Sequence, residues 1–157
     1  MMCVLNRIRH SERGASAVEL GLLAPFLLAM VVGMSDLGSS YSMKLRLEQA
    51  AQRSLELLQQ MKSPSDSANH DAIATEASNA ATDAGYSGAT VAVTYTLYCN
   101  GTASATYDDT SCTGTTMRYV SVAITGKYTP LFSDSYFPNH NADGTVTITG
   151  RAGMRVQ

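Results

Sequence analysis

The sequence predicts an α+β fold that consists of a long N-terminal helix, a second helix and a small antiparallel β-sheet of about three to four strands. Residues 20–34 form an apolar run without a charge, and three runs of alternating apolar and polar residues follow in the second half. The first pattern is typical of a membrane helix, and the second is typical of strands that expose one face to water. We therefore expect one globular unit with a membrane anchor among the 157 residues.

The anchor is predicted over residues 15–37, in which only Glu19 and Asp36 carry a charge. At 1.5 Å per residue this stretch is ~34 Å long, against ~30 Å for the core of a bilayer. Three arginines precede it: Arg7, Arg9 and Arg13. The positive-inside rule therefore predicts a cytoplasmic N-terminus. A secretory signal peptide is the alternative, although the apolar run is long for one and no clear cleavage site follows it.

Beyond the membrane segment the helix is expected to continue to about Gln60. Its apolar residues recur at helical spacing and form one stripe: Met43, Leu47, Ala51, Leu55 and Leu58. Pro64 is expected to end the helix. A second helix is predicted over Asp66 to Ala84, because Ile73 and several alanines recur on one side and Gly85 stands where a C-terminal cap is expected.

Three strands are predicted from period-two alternation: Thr90 to Cys99, Arg118 to Lys127 and Thr145 to Met154. Threonine and serine alternate with Val, Ile, Leu and Tyr, so we expect an antiparallel sheet whose apolar face rests on the helices. The link from Tyr128 to Gly144 is rich in aromatic residues. It either covers an edge of the sheet or presents a contact surface to a neighbouring molecule.

Two of the three cysteines are expected to pair. Cys99 and Cys112 lie in a stretch rich in Thr, Ser and Gly, whereas Cys3 lies in the basic N-terminal segment. A pair at this spacing suits a disulfide in an oxidising compartment, where it would close the loop of residues 100–111. Two free thiols in a reduced domain are the alternative.

The sequence offers little for catalysis or nucleic-acid binding. The formal net charge is −2, and Lys and Arg do not cluster outside the N-terminus. No metal-binding, nucleophile or phosphate-loop motif surrounds the histidines. We therefore expect no enzyme, no cofactor, no metal and no nucleic-acid partner. Residues 139–144 are oxygen-rich, but they lack the spacing of an EF-hand loop, so a polar turn is the preferred interpretation over a calcium site.

Gly14 and the residues that follow it, ASAVE, carry a family resemblance. A short basic leader, a glycine, a glutamate at the fifth position after it and an apolar helix together resemble the class III leader of prepilins and pseudopilins of the type IV pilus superfamily. The resemblance implies a type IV pilin-like fold and cleavage between Gly14 and Ala15 by a prepilin peptidase. Ala15 would become the mature N-terminus, and Glu19 would be the family's fifth-position glutamate.

More narrowly, residues 13–54 resemble the TadE-like family of the tight adherence (Flp) pilus system. Members of that family typically read RGxxAVEFAL before an apolar stretch that contains a proline. The end of the chain is similar as well, from YVSVAITGKYTPLF through Phe137 and Pro138 to Arg155. Leu20 departs from the tyrosine of the major pilin and from the phenylalanine frequent in TadE-like proteins, which favours an accessory pilin.

The resemblance implies four segments: a cleaved cytoplasmic leader (1–14), a transmembrane helix (15–38), an amphipathic extension (39–62) and an α+β globular domain outside the cytoplasm (63–157). It implies a single-pass protein of the bacterial inner membrane, with its N-terminus in the cytoplasm and its C-terminal domain in the periplasm, that is incorporated into an extracellular pilus. Expected partners are the inner membrane, the prepilin peptidase, other pilins of the same fibre and the pilus assembly platform.

The implied function is that of a minor pilin or pseudopilin in pilus assembly, priming or tip structure. A carboxylate at membrane depth costs at least ~2.5 kcal/mol, so Glu19 is expected to pair with the amine of a neighbouring subunit as an assembly contact. A glutamate that reaches the lipid headgroups is the alternative. For the whole chain, the alternative is an uncleaved, single-pass anchored periplasmic module that binds a ligand or the cell wall.

Overall fold

The computed structural model describes residues 12–61, 69–108, 111–131, 137 and 140–156, with side chains from residue 17 onward. Within these residues two helices and four strands follow one another: α1 (Glu12–Gln60), α2 (His70–Asp83), β1 (Thr90–Cys99), β2 (Thr102–Ala103), β3 (Thr116–Tyr128) and β4 (Val146–Arg155). The chain divides into two units, residues 1–39 and residues 40–157, and the division falls within α1. The predicted α+β arrangement with a long N-terminal apolar helix is confirmed.

The first unit contains the N-terminal part of α1. Pro25 lies inside the helix without ending it. Its ring removes one backbone donor, and a helix in an apolar environment tolerates this when neighbouring groups satisfy the freed carbonyl. The apolar side chains of this part surround the helix axis and are exposed, as described below for the candidate site.

In the second unit, α1 presents one apolar stripe to a common core. The stripe consists of the residues expected from helical spacing, together with Ala50: Met43, Leu47, Ala50, Ala51, Leu55 and Leu58 are at most 5% exposed. Most of the other positions are polar, with Leu45 and Leu57 among the exceptions, which is the pattern of a helix with one face on a core and one in water. The predicted stripe is therefore confirmed.

Helix α2 packs against the same core through Ile73, Ala77, Ala80 and Ala81. Its C-terminal end is closed by Gly85, which has a φ of 95°. The amide of Gly85 donates to the carbonyl of Thr82, and the amide of Tyr86 donates to that of Ala81. This is a Schellman motif, which requires a left-handed residue after the helix and so favours glycine. The predicted cap at Gly85 is confirmed.

The strands form one sheet in the order β2-β1-β3-β4, and every neighbouring pair is antiparallel. Its inner face continues the core in rows across three strands. These rows are Val91, Ile124 and Gly150; Val93, Val122 and Ala152; Tyr95, Val120 and Met154. Val120, Val122 and Ile124 lie on the central strand and are at most 1% exposed.

Two glycines allow α1 to lie close to the sheet. A Cβ atom on Gly150 would stand 2.4 Å from the backbone of Leu47 and Glu48, and one on Gly126 would stand 2.5 Å from Cε of Met43. Glycine in a strand interior often marks such an approach of another backbone. This role of the two glycines was not predicted from the sequence.

The predicted bounds are correct for β1, whereas β3 is longer than predicted and β4 is displaced by one residue toward the C-terminus. β3 begins two residues before the predicted start at Arg118, and β4 runs one residue past Met154. The short strand β2 was not predicted individually. It follows Asn100 and Gly101, whose φ angles of 52° and 83° make a two-residue hairpin turn of the type that Asn-Gly favours.

Candidate assembly segment and disulfide region

An exposed apolar segment occupies the first unit. Its large side chains are more than half exposed at most positions: Val18, Leu20, Leu22, Leu23, Phe26, Leu27, Leu28, Val31, Met34 and Leu37. Within the described part of the chain, one helix is long and apolar enough to cross a membrane, judged by length and composition. Such a surface is unfavourable in water and marks a membrane or protein interaction site. The apolar helix therefore indicates membrane anchoring.

Glu19 lies in this segment and is exposed. Among the described residues, no hydrogen bond or ion pair of its carboxylate is found, and its neighbours Val18 and Leu20 are 64% and 65% exposed. A carboxylate at membrane depth is costly unless it has a partner. The sequence prediction of an assembly contact at Glu19 is neither supported nor opposed by contacts within one chain.

Gly14 and Ala15 lie within the first turn of α1, which begins at Glu12. Their side chains and the leader residues 1–11 lie outside what the structure describes. Cleavage after Gly14 stays a prediction.

The second carboxylate of the apolar stretch differs from the first. Asp36 is 2% exposed, whereas Glu19 is exposed. Spacing alone did not separate them, since both stand near the ends of the same apolar run. Nearby, the hydroxyl of Ser35 donates to the carbonyl of Val31, 2.9 Å away, so it is satisfied within the helix.

In the second unit, the predicted disulfide is present between Cys99 and Cys112, with Cα atoms 5.8 Å apart. It connects the end of β1 to the segment before β3. The turn beside it is held by two hydrogen bonds: the Asn100 amide donates to the Thr115 carbonyl, and the Thr115 amide donates to Oδ1 of Asn100. These contacts fix both ends of an otherwise polar loop.

A ring cluster ties this loop to α2. The rings of His70 and Tyr95 are stacked with centroids 3.3 Å apart, and the Tyr107 ring meets both edge-on at 5.1 and 5.5 Å. The guanidinium of Arg118 lies over the Tyr107 ring at 5.7 Å. Sequence reasoning missed this cluster. Tyr95 was expected on the inner face of β1, but nothing in the pattern placed Tyr107, which lies in the disulfide loop.

The electrostatics of the cluster favour neutral phenols. Burial, followed by the proximity of Tyr107 and Asp71, raises the pKa of Tyr95 to about 12. Burial also raises the pKa of Tyr107, although the positive charge of Arg118 acts in the opposite direction. The hydroxyl of Tyr95 donates to the His70 carbonyl at 3.1 Å. A protonated, hydrogen-bonded phenol such as that of Tyr95 is a packing group and a poor nucleophile.

The oxygen-rich turn before β4 is closed by its own hydrogen bonds. Oδ1 of Asp143 accepts from the amide and hydroxyl of Thr145, and its Oδ2 accepts from Lys127. The hydrogen bond from Lys127, then those from Thr145, lower the pKa of Asp143 to about 2. The Asn141 side chain bonds to Thr145 and Thr147. In the described part of this turn, the side-chain oxygens of Asn141 and Asp143 therefore accept hydrogen bonds from within the chain, and Asn139 lies outside the described residues.

The link between β3 and β4 is described only in part. Residues 132–136 and 138–139 lie outside the described residues, so its two interpretations stay open. Where it is described, Nδ1 of His140 lies 3.0 Å from the carbonyl of Phe137, and the Phe137 and Tyr128 rings meet edge-on. Among the described residues, no group of three or more His, Cys, Asp and Glu side chains could hold a metal ion.

Together these features define a class: an α+β, pilin-like arrangement in which an exposed apolar helix precedes a disulfide-containing domain. The family described as TadE-like protein matches residues 14–55. This match begins at the glycine of the predicted leader and ends within the buried stripe of α1. Comparisons with curated proteins and with solved structures find no match.

The match confirms the predicted resemblance to TadE-like proteins and indicates a protein related to the tight adherence pilus. TadE-like pilins are structural proteins, and the cluster geometry above offers no activated nucleophile among the described residues. The match does not extend to the sheet or the disulfide. The interpretation of those parts depends on the structure alone.

Proposed function

We propose that the protein is a minor pilin or pseudopilin of a bacterial tight adherence pilus. It is made with a leader that prepilin peptidase removes after Gly14, and it acts in assembly, priming or tip structure. The observation that carries this proposal is the TadE-like match over residues 14–55, which coincides with an exposed apolar helix. An anchor and an assembly element are combined in one segment.

The exposed apolar surface supports this double use. Burial of apolar surface is worth about 25 cal/mol per Å², whether lipid or a neighbouring helix covers it. A helix that is apolar on all sides is therefore stable in a bilayer and equally stable in the centre of a helical fibre. Leu22 and Phe26, 73% and 65% exposed, belong to that surface. Extraction from the membrane then costs little, because one apolar environment replaces another.

Glu19 supplies the selectivity that apolar contacts lack. After cleavage, the new amine of Ala15 lies four residues before Glu19, about 6 Å along the helix axis. In a fibre of staggered subunits, the amine of one subunit meets the Glu19 carboxylate of another. The pair offsets the cost of both charges in an apolar environment, whereas an incorrect register leaves each charge unpaired.

The disulfide supports the proposed orientation. A bond between Cys99 and Cys112 suits an oxidising compartment such as the bacterial periplasm. Arg7, Arg9 and Arg13 before the apolar segment favour a cytoplasmic N-terminus. The proposed partners are the inner membrane, prepilin peptidase, the other pilins of the fibre and the assembly platform.

The mature N-terminus tests the processing step. In cells that contain the peptidase, mass spectrometry of the purified protein is expected to find Ala15 as the first residue. A Gly14→Leu variant is expected to retain Met1 and to remain in the membrane. An intact leader in the unmodified protein would contradict the proposal and favour the uncleaved anchored module.

Glu19→Gln tests the assembly contact separately from processing. The substitution keeps size and removes charge, so we expect normal cleavage and membrane insertion but a loss of the protein from sheared pili. Glu48→Gln is the matched control, because Glu48 is paired with Lys44 in the second unit and is outside the apolar segment. If the two variants were found in sheared pili in equal amounts, Glu19 would not be an assembly contact.

A further inference from the structure

The sheet carries charge of one sign. β1, β3 and β4 contain no Asp or Glu, although the chain as a whole has a formal net charge of −2. Their cations are Arg118, Lys127, Arg151 and Arg155. Arg118 lies on the inner face and Lys127 is paired with Asp143, so the positive charge that this layer presents on its outer face comes from Arg151 and Arg155. Charge complementarity favours an anionic partner for any surface that this layer exposes.

The outer face of the sheet is exposed or half-buried, and most of its side chains are short. Its rows, read across β1, β3 and β4, are Thr90, Thr125 and Thr149; Ala92, Ala123 and Arg151; Thr94, Ser121 and Gly153; Thr96, Tyr119 and Arg155. The backbones of neighbouring strands lie about 4.8 Å apart. The Oγ1 atoms of Thr125 and Thr149 lie 3.0 Å apart, which shows how closely this face presents its hydroxyls.

An open trough crosses this face at Gly153. Arg151, Gly153 and Arg155 are alternate residues of β4, so they share the outer face, and the glycine leaves no side chain between the two arginines. Ser121 and Thr94 form the floor beside it and are exposed. Tyr119, 37% exposed and in edge contact with the Tyr98 ring, stands at one end.

The cations of the sheet differ in their contacts with other side chains. Arg118 lies over the Tyr107 ring, and Lys127 is bonded to Asp143. Arg151 is exposed at the trough, and no ion pair of its guanidinium is found among the described residues. A planar guanidinium beside a row of hydroxyls suits a ligand that carries carboxylates and hydroxyls together.

We propose that the outer face of the sheet binds an acidic polysaccharide, a polymer of uronic acid units, with Arg151 on a carboxylate and the trough at Gly153 beneath a sugar ring. Thr94 and Ser121 supply hydroxyl contacts, and Tyr119 offers an aromatic edge at the end of the trough. This site is independent of the pilin assignment, because it does not involve α1.

The chemistry of the face favours a polysaccharide over other anionic partners. Protein interfaces depend on a cluster of large anchors that become buried, whereas the outer rows contain one aromatic residue, Tyr119, at the end of the trough and short side chains along its floor. Insertion into a membrane surface requires the same apolar groups. A second copy placed face to face would oppose arginine with arginine. A glycan needs neither a deep pocket nor apolar anchors.

The test uses the full chain in detergent micelles and measures binding to polygalacturonate by calorimetry. Neutral dextran, polyglutamate and double-stranded DNA serve as the other probes. Arg151→Gln removes the charge, and Gly153→Val fills the trough without changing charge. A Cβ on Gly153 meets only ordinary contacts, at 3.5 Å from Ser121, so the fold is expected to tolerate the substitution. Arg46→Gln, an exposed arginine on α1, is the matched control.

We expect polygalacturonate to bind and dextran not to bind. Arg151→Gln should weaken binding about tenfold, the loss expected for one charge-assisted group. Gly153→Val should weaken it by a similar factor because its side chain would occupy the trough, whereas Arg46→Gln should leave binding unchanged. Absence of polygalacturonate binding would overturn the proposal. Equal binding of polyglutamate or DNA, or an equal loss in Arg46→Gln, would also overturn it, because the attraction would then be non-specific.

Discussion

The two parts of α1 are both helical, but they differ in how their apolar side chains are buried. In the first unit, apolar side chains such as Leu28 and Val31 are 65% and 59% exposed. In the second unit, the residues of the stripe, such as Leu47 and Leu58, are buried, and most positions outside the stripe are polar. An apolar helix without a core requires lipid or other helices, whereas the amphipathic part has its own core. The comparison shows that helical spacing, rather than hydrophobicity, distinguishes the folded domain from the anchor.

The glycines of the two units differ in the same way. A Cβ atom added to Gly21 or Gly33 would have no neighbour within 4 Å, whereas one added to Gly126 or Gly150 would have neighbours at 2.5 and 2.4 Å. Within one chain, the glycines of the first unit are therefore replaceable. Those of the second unit are required by packing. Small residues in the anchor have room for another helix.

Leu47→Ala is expected to have the largest effect on the second unit. Leu47 is fully buried, and its truncation should lower the free energy of unfolding by about 3–4 kcal/mol, through lost burial and a cavity. Tyrosine fluorescence during denaturant unfolding measures this change in the free energy of unfolding. Leu28→Ala is the control from the first unit and should leave that transition unchanged. Equal effects would abolish the distinction between the two parts of α1.

Gly150→Ala is expected to cost slightly less, about 3 kcal/mol. The new methyl group would meet backbone atoms of Leu47 and Glu48, which can move only if α1 shifts from the sheet. Gly153→Ala, on the same strand, meets only ordinary contacts and is the control. Thermal unfolding compares them. If both variants melt at the same temperature, close approach of the helix is not what requires glycine at 150.

Removal of the disulfide is expected to cost about 2 to 3 kcal/mol. The bond joins residues 13 apart in sequence and restricts a short loop of the unfolded chain. The double variant C99S/C112S should lower the unfolding midpoint of the second unit without affecting helix content of the first unit in detergent, measured by circular dichroism. A simultaneous loss of that helix signal would contradict the independence of the units.

Tyr95→Phe is expected to have the smallest effect, about 1 kcal/mol at neutral pH, because one hydrogen bond to the His70 carbonyl is lost. The pKa of Tyr95 is raised from 10.0 to about 12, so its stabilising contribution is complete below pH 10 and is lost as pH rises through about 12. The unmodified protein should therefore lose more stability than Tyr95→Phe over this interval. Parallel pH profiles of unfolding midpoints would exclude a role for Tyr95.

Much of the fold follows from local pattern. The stripe through Met43 and Leu47, the cap at Gly85 and the three long strands were all predicted, because each depends on spacing or on one backbone conformation. The hairpin at Asn100 and Gly101 was missed although its signal was present, since Asn-Gly between two polar-apolar runs favours a two-residue turn. This dipeptide alone would therefore have been enough to predict the turn.

The ring cluster and the close helix-sheet contact had no comparable signal. The Tyr107 ring meets the Tyr95 ring edge-on where the β1–β2 hairpin and the disulfide return the loop to the sheet, and this contact is set by tertiary structure. Gly150 is required only because Leu47 and Glu48 lie against it. Nor could spacing distinguish exposed Glu19 from buried Asp36, since burial depends on what surrounds the helix.

The sequence by itself determined the apolar anchor, the glycine and glutamate that relate it to TadE-like proteins, the helical stripe and the strand alternation, since each is a property of neighbouring residues and their period. The tertiary structure decided the order of the sheet, the close approach of α1 at Gly150, the ring cluster and the gathering of Arg151, Gly153, Ser121 and Thr94 on one face. Strand register and side-chain packing join distant residues, and no local pattern specifies those pairings.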